Sequence, residues 1–153
     1  MGKIKKVYLA GSIEFSKDGG NGWRDKIKPV LQELGWEVYD PTDKEDTKEI
    51  QETLKKCKEH GLWDKFQEIV TDIQKKDKDM VLGCSLIIVL WDTETKMYGT
   101  SDEIRWALDN KIPIYTIING PISNESSWAI CKLRQTKIFD SFHKLIECMK
   151  ENK

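Results

Sequence analysis

Apolar positions along the chain fall into two kinds of pattern, short continuous runs and longer stretches with helical spacing. Lys6 to Ala10 is a short apolar run closed by Gly11, and it predicts a strand. Between Trp23 and Leu34 the apolar residues Trp23, Ile27, Val30, Leu31 and Leu34 recur at the spacing of an amphipathic helix. Pro29 sits inside that stretch and predicts a kink or break near Lys28, while Gly35 suits the helix C-terminus. Trp36 to Tyr39 reads as a second short strand, closed by Asp40 and Pro41. Thr42 to Lys78 is strongly charged and mostly helical in pattern. Thr47 is a plausible N-cap there, followed by Ile50, Leu54 and Cys57 on one face. His60 and Gly61 mark a break. A further helix runs from about Leu62 to Ile73, with Leu62, Phe66, Ile69, Val70 and Ile73 inward, and continues to Leu82. The segment Lys44 to Lys78 is read as a solvated helical hairpin rather than a binding tail.

Cys84 to Trp91 is the most apolar stretch, rich in β-branched residues, and predicts a central strand buried on both faces. A polar loop follows from Asp92 to Gly99. Then comes a helix from about Ser101 to Asp109, with Ile104, Ala107 and Leu108 inward. Ile112 to Ile118 is another buried strand, followed by a turn at Asn119 to Pro121 and a loosely patterned region. A helix from about Ser141 to Lys150 ends the pattern. Strands alternating with helices imply a parallel sheet covered on both faces: an α/β, flavodoxin- or Rossmann-like three-layer domain of about five strands, occupying residues 1–153. Right-handed crossovers put the strand C-terminal ends on one edge, where the binding crevice of such sheets forms. The residues after each strand are therefore candidates: Gly11 to Phe15, Asp40 to Thr42, Asp92 to Glu103, and Asn119 onward.

Composition narrows the functional classes. The 153 residues fit one domain, and 39% hydrophobic content supplies an ordinary core. With Lys+Arg 25 against Asp+Glu 26, the net charge of −1 argues against a partner held by charge alone, such as a nucleic acid polymer. A small anionic ligand needs only two or three local donors and is compatible. The apolar run Val7 to Ala10 is too short for a secretory signal, and no apolar stretch approaches membrane-spanning length. The four cysteines form no CxxC pair and only two histidines are present, so no metal site is expected. Cys84 reads as a small buried hydrophobe, and a reduced cytoplasmic protein is the simplest expectation.

The segment Tyr98, Gly99, Thr100, Ser101, Asp102, Glu103 follows the most buried strand and opens a helix. Gly99 permits a close approach of a ligand to backbone. With Ser101 as N-cap, Glu103 falls in the first turn, where the positive helix end favours an ionised carboxylate. Such a carboxylate can attack the anomeric carbon of a sugar, splitting one hard displacement into two easier ones. Alternatively, Thr100 and Glu103 have capping-box spacing and merely close the helix. Gly11, Ser12 and Ile13 can offer N–H groups and a hydroxyl to an anion or sugar. Arg24 can pair with phosphate, and Phe15 or Trp23 can stack on a base; alternatively Trp23 anchors the core and Arg24 lies on the surface. Asp77 and Asp79 precede the buried strand and Asp92 ends it. A carboxylate near a nucleophilic glutamate can manage the proton of a leaving base, and for Asp79 solvation of a helix end is the preferred reading.

Val7 to Ile13 resembles the opening strand and loop of the nucleoside 2-deoxyribosyltransferases and of their relatives, the 2′-deoxynucleoside 5′-monophosphate N-glycosidases. Asp77, Cys84 to Val89, Gly99 to Glu103 with Ala107, and Lys111 to Ile114 follow the same family's central pattern. Ile13 to Arg24 is similar to a phage-associated branch of small proteins of this kind. The resemblance covers about residues 6 to 118. It implies that Glu103 is the nucleophile, that Asp77 is the base-side aspartate, and that Tyr8 with Gly11 to Ile13 lines the sugar and base. It also implies a homodimer or higher homo-oligomer in which Asn124, Ser126 and Ser127 are candidates to reach a neighbour's site. Two positions depart from the pattern. Met97 stands where the transferases carry an aspartate, for which Asp92 is a possible substitute. Glu14 stands where the monophosphate glycosidases carry an arginine, leaving Arg24 or Lys17 to compensate.

The reading is an enzyme that cleaves or transfers at the N-glycosidic bond of a 2′-deoxynucleoside or its monophosphate, a small-molecule substrate, without cofactor. Two alternatives stay open: a nucleotide-binding module without turnover, and a glycohydrolase acting on NAD-type ligands.

Overall fold

The computed structural model describes residues 5–43 and 47–152. Met1 to Ile4 of the basic start, and Lys44 to Asp46 of the charged segment, lie outside them. Five parallel strands form one sheet in the order β2-β1-β3-β4-β5. They are β1 (Lys5–Gly11), β2 (Trp36–Tyr39), β3 (Leu86–Asp92), β4 (Ile114–Asn119) and β5 (Lys137–Phe139). This is the flavodoxin-like strand order, and the order reverses between β1 and β3, where such sheets open a crevice.

Period-two alternation assigns the strand side chains to two cores. On one face Tyr8, Ala10, Ile87, Val89 and Trp91 pack with Val81 of α3 (Trp63–Leu82), Ile104 and Ala107 of α4 (Tyr98–Asp109), and Leu133 of α5 (Ser127–Leu133). On the other, Val7, Leu9, Leu86 and Ile88 pack with Ile27 and Leu31 of α1 (Asn21–Glu33) and Leu145 and Met149 of α6 (Phe142–Glu151). The remaining helix, α2 (Thr47–His60), rests on α3 through a face that buries Leu54 and Cys57. Among the described residues no helix is long and apolar enough to cross a membrane.

Several boundaries differ from the sequence pattern for identifiable reasons. Helix α1 runs through Pro29 without a break, with the proline on the exposed side of the helix. Gly35 and Gly61 take left-handed conformations after α1 and α2, as the pattern suggested. Thr47 opens α2, but its hydroxyl has no hydrogen-bond partner among the described residues. Within the loosely patterned region a short helix, α5, is N-capped by Ser126, and the edge strand β5 follows. Both are too short for periodicity to mark.

The main difference concerns Arg24. It is fully buried and faces backbone, not solvent. Its Nη2 donates to Leu9 O at 3.2 Å and Gly11 O at 3.0 Å, and Nη1 donates to Gly20 O at 2.7 Å. Nε donates to Leu9 O at 3.3 Å and lies 3.6 Å from Asp40 Oδ1. Asp40 in turn accepts from Thr42 N and Oγ1 and pairs with Lys28 at 2.9 Å. The end of β1, the start of α1 and the end of β2 are thus tied by one guanidinium.

This tie sets a requirement at Gly20, whose φ is +82°. A Cβ there would run into the Arg24 guanidinium and lie 2.5 Å from Ser12 O. Gly20→Ala is expected to lower stability by about 3 kcal/mol, combining backbone strain with the clash. Gly35→Ala, at φ +88° but with nothing within 4 Å of the added Cβ, is expected to cost only about 1 kcal/mol. Urea unfolding midpoints at unchanged slope test the difference.

Candidate active site

A cleft of about 360 Å³ opens at the C-terminal ends of β1 and β3. The β1–α1 loop, from Gly11 to Phe15, forms one wall, and Lys96 to Thr100 with Glu103 forms the other. Tyr8 lies at its base, and Asp77 of α3 and Gln51 of α2 close the remaining side. A Cβ at Gly11 would lie 3.0 Å from the Trp23 ring, so any side chain there would have to displace that ring slightly.

Glu103 enters the cleft because of where α4 begins. The helix starts at Tyr98, three residues before the expected Ser101, and Met97 is its N-cap without a side-chain cap bond. The buried residues of α4 are Thr100, Glu103, Ile104 and Ala107, a single face turned to the sheet. Glu103 therefore lies in the second turn, outside the terminal N–H groups, and the capping-box geometry is absent. Ser101 instead accepts from Lys132 Nζ at 2.7 Å.

That position changes the electrostatics expected for the carboxylate. The favourable field of a helix end fades within the first turn, so burial decides. Glu103 is 8% exposed, and loss of water pushes its pKa from 4.5 up to about 8. The Tyr8 hydroxyl opposes this by favouring the ionised form, the like charge of Asp77 adds to it, and Arg24 opposes it from behind. Free Glu103 accordingly holds a proton at neutral pH, not the open charge inferred from the motif. Burial also raises the Tyr8 pKa well above its ordinary value, reinforced by Glu103 and Asp77, so the phenol stays a donor. Tyr8 Oη makes no hydrogen bond of full geometry, although it lies near enough to Glu103 to influence its charge. Ser12 Oγ is likewise buried and unpartnered. The Ser12 hydroxyl, buried beside the cleft, is poised for a polar ligand, while the Tyr8 hydroxyl is turned to the Glu103 carboxyl.

The other anticipated residues divide clearly. Tyr8, Gly11, Ser12, Ile13, Phe15, Asp77, Tyr98, Gly99, Thr100 and Glu103 line the cleft. Arg24 does not, being committed to β1 carbonyls and Asp40. Trp23 stacks on Phe142 at 5.8 Å between ring centroids, on the opposite face of the sheet. Asp40 and Pro41 are buried at the end of β2, where Asp40 serves the Arg24 tie. Asp92 accepts from Glu94 N at 3.0 Å in the turn after β3 and is not among the residues that line the cleft. Asn124 ends a 3-10 turn and Ser126 caps α5, both outside this chain's own cleft. Asp79 lies on exposed α3 surface. Lys17 does not line the cleft either.

Gln51 reaches the cleft without having been anticipated, and Lys96 reaches it from within the candidate segment Asp92 to Glu103, where nothing had singled it out. Gln51 lies in the charged hairpin, and nothing in its local pattern marks it. Lys96 sits in a polar loop, seven residues before Glu103. Its ammonium lies 5.1 Å from the Phe15 ring centroid, and Lys58 approaches the same ring at 6.0 Å while pairing with Glu14. Glu14 is thereby compensated by Lys58 rather than by Arg24 or Lys17. Among the described residues no cluster of three or more metal-ligating side chains occurs.

These features define a doubly wound α/β domain with paired carboxylates at its topological switch point. Solved structures with this fold include a 2-deoxyribosyltransferase from Bacillus psychrosaccharolyticus, with TM-score 0.64, 16% identity and coverage of 92% of this chain and 90% of that one. A 2-deoxyribosyltransferase from Leishmania mexicana matches with TM-score 0.61 and 18% identity over 94% and 97% of the two chains. The CMP N-glycosidase of Clostridium botulinum matches with TM-score 0.56 and 18% identity over 97% and 100%. No protein-family model matches the chain, and no characterised sequence does. The likeness establishes the fold, which is the one the resemblance implied.

The charge balance around Glu103 is testable by carboxyl NMR titration. Tyr8→Phe is expected to raise the Glu103 pKa further, and Asp77→Asn to lower it. The raised pKa also couples to stability. Its contribution is fully present below pH 4.5 and is lost as pH rises to about 8, because the unfolded chain releases this proton first. Glu103→Gln should therefore gain stability relative to the parent across that window, read as a diverging difference in urea midpoint.

Proposed function

We propose that the protein breaks the N-glycosidic bond of a 2′-deoxynucleoside or its 5′-monophosphate and passes the sugar to water or to a second base. The observation that carries this reading is the convergence of Glu103, Asp77 and Tyr8, from three separate elements, on one cleft at the switch point of the sheet. The names of the similar structures, two deoxyribosyltransferases and a CMP N-glycosidase, support it independently.

The proton on Glu103 is part of the mechanism. As substrate fills the cleft, Glu103 gives its proton to Asp77, so the two carboxylates share one proton between nucleophile and acid. A Glu103 oxygen then bonds to C1′ while the C1′–N bond breaks, and its electron pair leaves with the base. Asp77 delivers the shared proton to that base. Tyr8 donates to the carboxylate and holds its reactive oxygen in place. In the second half, water or an incoming base attacks C1′ and the ester to Glu103 breaks. The proton lost by the attacking group returns to the carboxylate pair, and the enzyme is restored.

Base release followed by chromatography tests this reading. Glu103→Ala is expected to lose at least about a thousandfold in rate. For the parent, kcat/KM should hold steady through the neutral range and fall above about pH 8, as the pair loses its one proton. A profile that instead rises through pH 8 would show that Glu103 works only when already ionised. Base released equally fast by Glu103→Ala would remove the glycosidic reading altogether.

A further inference from the structure

A second hollow, of about 410 Å³, adjoins the cleft on the side away from Asp77. Lys96, Met97 and Tyr98 line both, so a single strip of chain separates them. Its far wall is α5, which presents Trp128, 89% exposed, while Tyr98 is 79% exposed at the dividing strip. Two large rings left in water on either side of one hollow form a stacking platform that the fold itself does not use.

The charges in this groove point the same way. Lys96, Arg105 and Lys132 line it, against one carboxylate, Glu125. Glu125 already accepts from Trp91 Nε1 at 3.0 Å. Among the described residues Arg105 has one distant partner, Asp109 at 3.8 Å. Lys132 donates to Ser101 Oγ and to Ser101 O, neither of them charged. Loss of water and the like charge of Arg105 lower the Lys132 pKa, and Asp102 and Asp109 oppose them in part. Among the side chains that line the groove three are cationic and one is acidic, with Asp102 and Asp109 acting on Lys132 from beside it. An anion seated in the groove would meet its cationic side chains.

We propose that this groove binds the distal half of a dinucleotide-type ligand, whose phosphates lie on Lys96, Arg105 and Lys132 and whose second ring stacks on Trp128. The proposal takes the adjoining cleft as the site of glycosidic chemistry. The proximal nucleoside occupies that cleft beside Glu103, and Lys96 stands at the junction where a phosphate must pass. Neither half of the site needs to move to admit such a ligand, because the hollows share a wall and both open to solvent.

Binding is best read on the Glu103→Gln variant, which holds ligand without consuming it. The probes are a deoxynucleoside, its 5′-monophosphate, and the dinucleotide in which two such nucleosides are joined 5′ to 5′ through a diphosphate. Calorimetry should show the dinucleotide binding at least about tenfold more tightly than the monophosphate, the contribution of one stacked ring. Adding Trp128→Ala, a change at an exposed helix position, should erase that advantage and leave monophosphate affinity within about twofold. Lys132→Gln, with its melting temperature checked, should weaken both phosphorylated probes and spare the nucleoside. Equal affinity for dinucleotide and monophosphate would overturn the proposal, as would a dinucleotide advantage that survives Trp128→Ala. Sedimentation of the same proteins gives another contrary outcome: a dimer that Trp128→Ala dissociates would show the groove to be covered by a second copy. Absence of base release by the parent from every probe, with the Trp128-dependent advantage intact, would remove the glycosidic reading and leave the groove standing.

Discussion

The buried guanidinium of Arg24 is the constraint on which the site depends. A charge taken out of water is tolerable only when its donors are satisfied and a counter-charge is near. Arg24 meets both conditions with the carbonyls of Leu9, Gly11 and Gly20 and the carboxylate of Asp40. Those carbonyls belong to the end of β1 and to the loop that walls the cleft. The same interaction that satisfies the charge therefore fixes where Ser12 to Phe15 stand relative to Glu103. Asp18 supports the loop from its other end, accepting from Gly20 N, Gly22 N and Ser16 Oγ. Those bonds to the ionised form hold its carboxyl below the ordinary range.

Around Glu103 three effects compete, and burial is the largest. Arg24 and Tyr8 favour ionisation, but they do not restore what the carboxylate loses by leaving water. Asp77 then tips the balance further toward the proton. A carboxyl held neutral beside an acidic neighbour suits chemistry that needs a nucleophile and an acid in succession, because one proton can serve both. A fully ionised pair in the same hollow would repel an anionic substrate and have no acid to offer the leaving base.

The sequence pattern located the sheet, both of its faces and the central strand, because long apolar runs and helical spacing are strong signals. It also brought the Gly11 to Phe15 loop and Glu103 together, since strand ends in a parallel sheet share an edge, while the places of Asp77 and Tyr8 in the site were implied by the family resemblance. What it did not reveal depended on tertiary burial. An arginine beside a tryptophan reads locally as a ligand for phosphate, and only the packing of α1 against β1 turns it inward. The start of α4 was three residues out because Met97, Tyr98 and Gly99 carry no capping signature. That shift moves Glu103 out of the first turn, and burial rather than the helix end then sets its charge state. Gln51 and Lys96 sit in charged or polar surroundings, where periodicity says nothing about which residue faces a cleft.

Glu14 illustrates how a local charge can mislead about specificity. Alone, a carboxylate at the mouth of the cleft would oppose a phosphorylated ligand. In the fold it pairs with Lys58, which reaches across from α2, and both Lys58 and Lys96 lie against the ring of Phe15. An exposed ion pair contributes little to stability, about 1 kcal/mol or less, so its effect here is on the field at the mouth. Lys58 cancels Glu14, and Lys96 forms no ion pair among the described residues. The mouth is therefore positive while the floor, with Asp77 and Glu103, is acidic. A ligand with an anionic tail and a neutral sugar and base meets favourable charge at each end only when its sugar points inward. For the substrate class proposed above, that orientation would carry the anomeric carbon toward Glu103 and leave a phosphate beside Lys96.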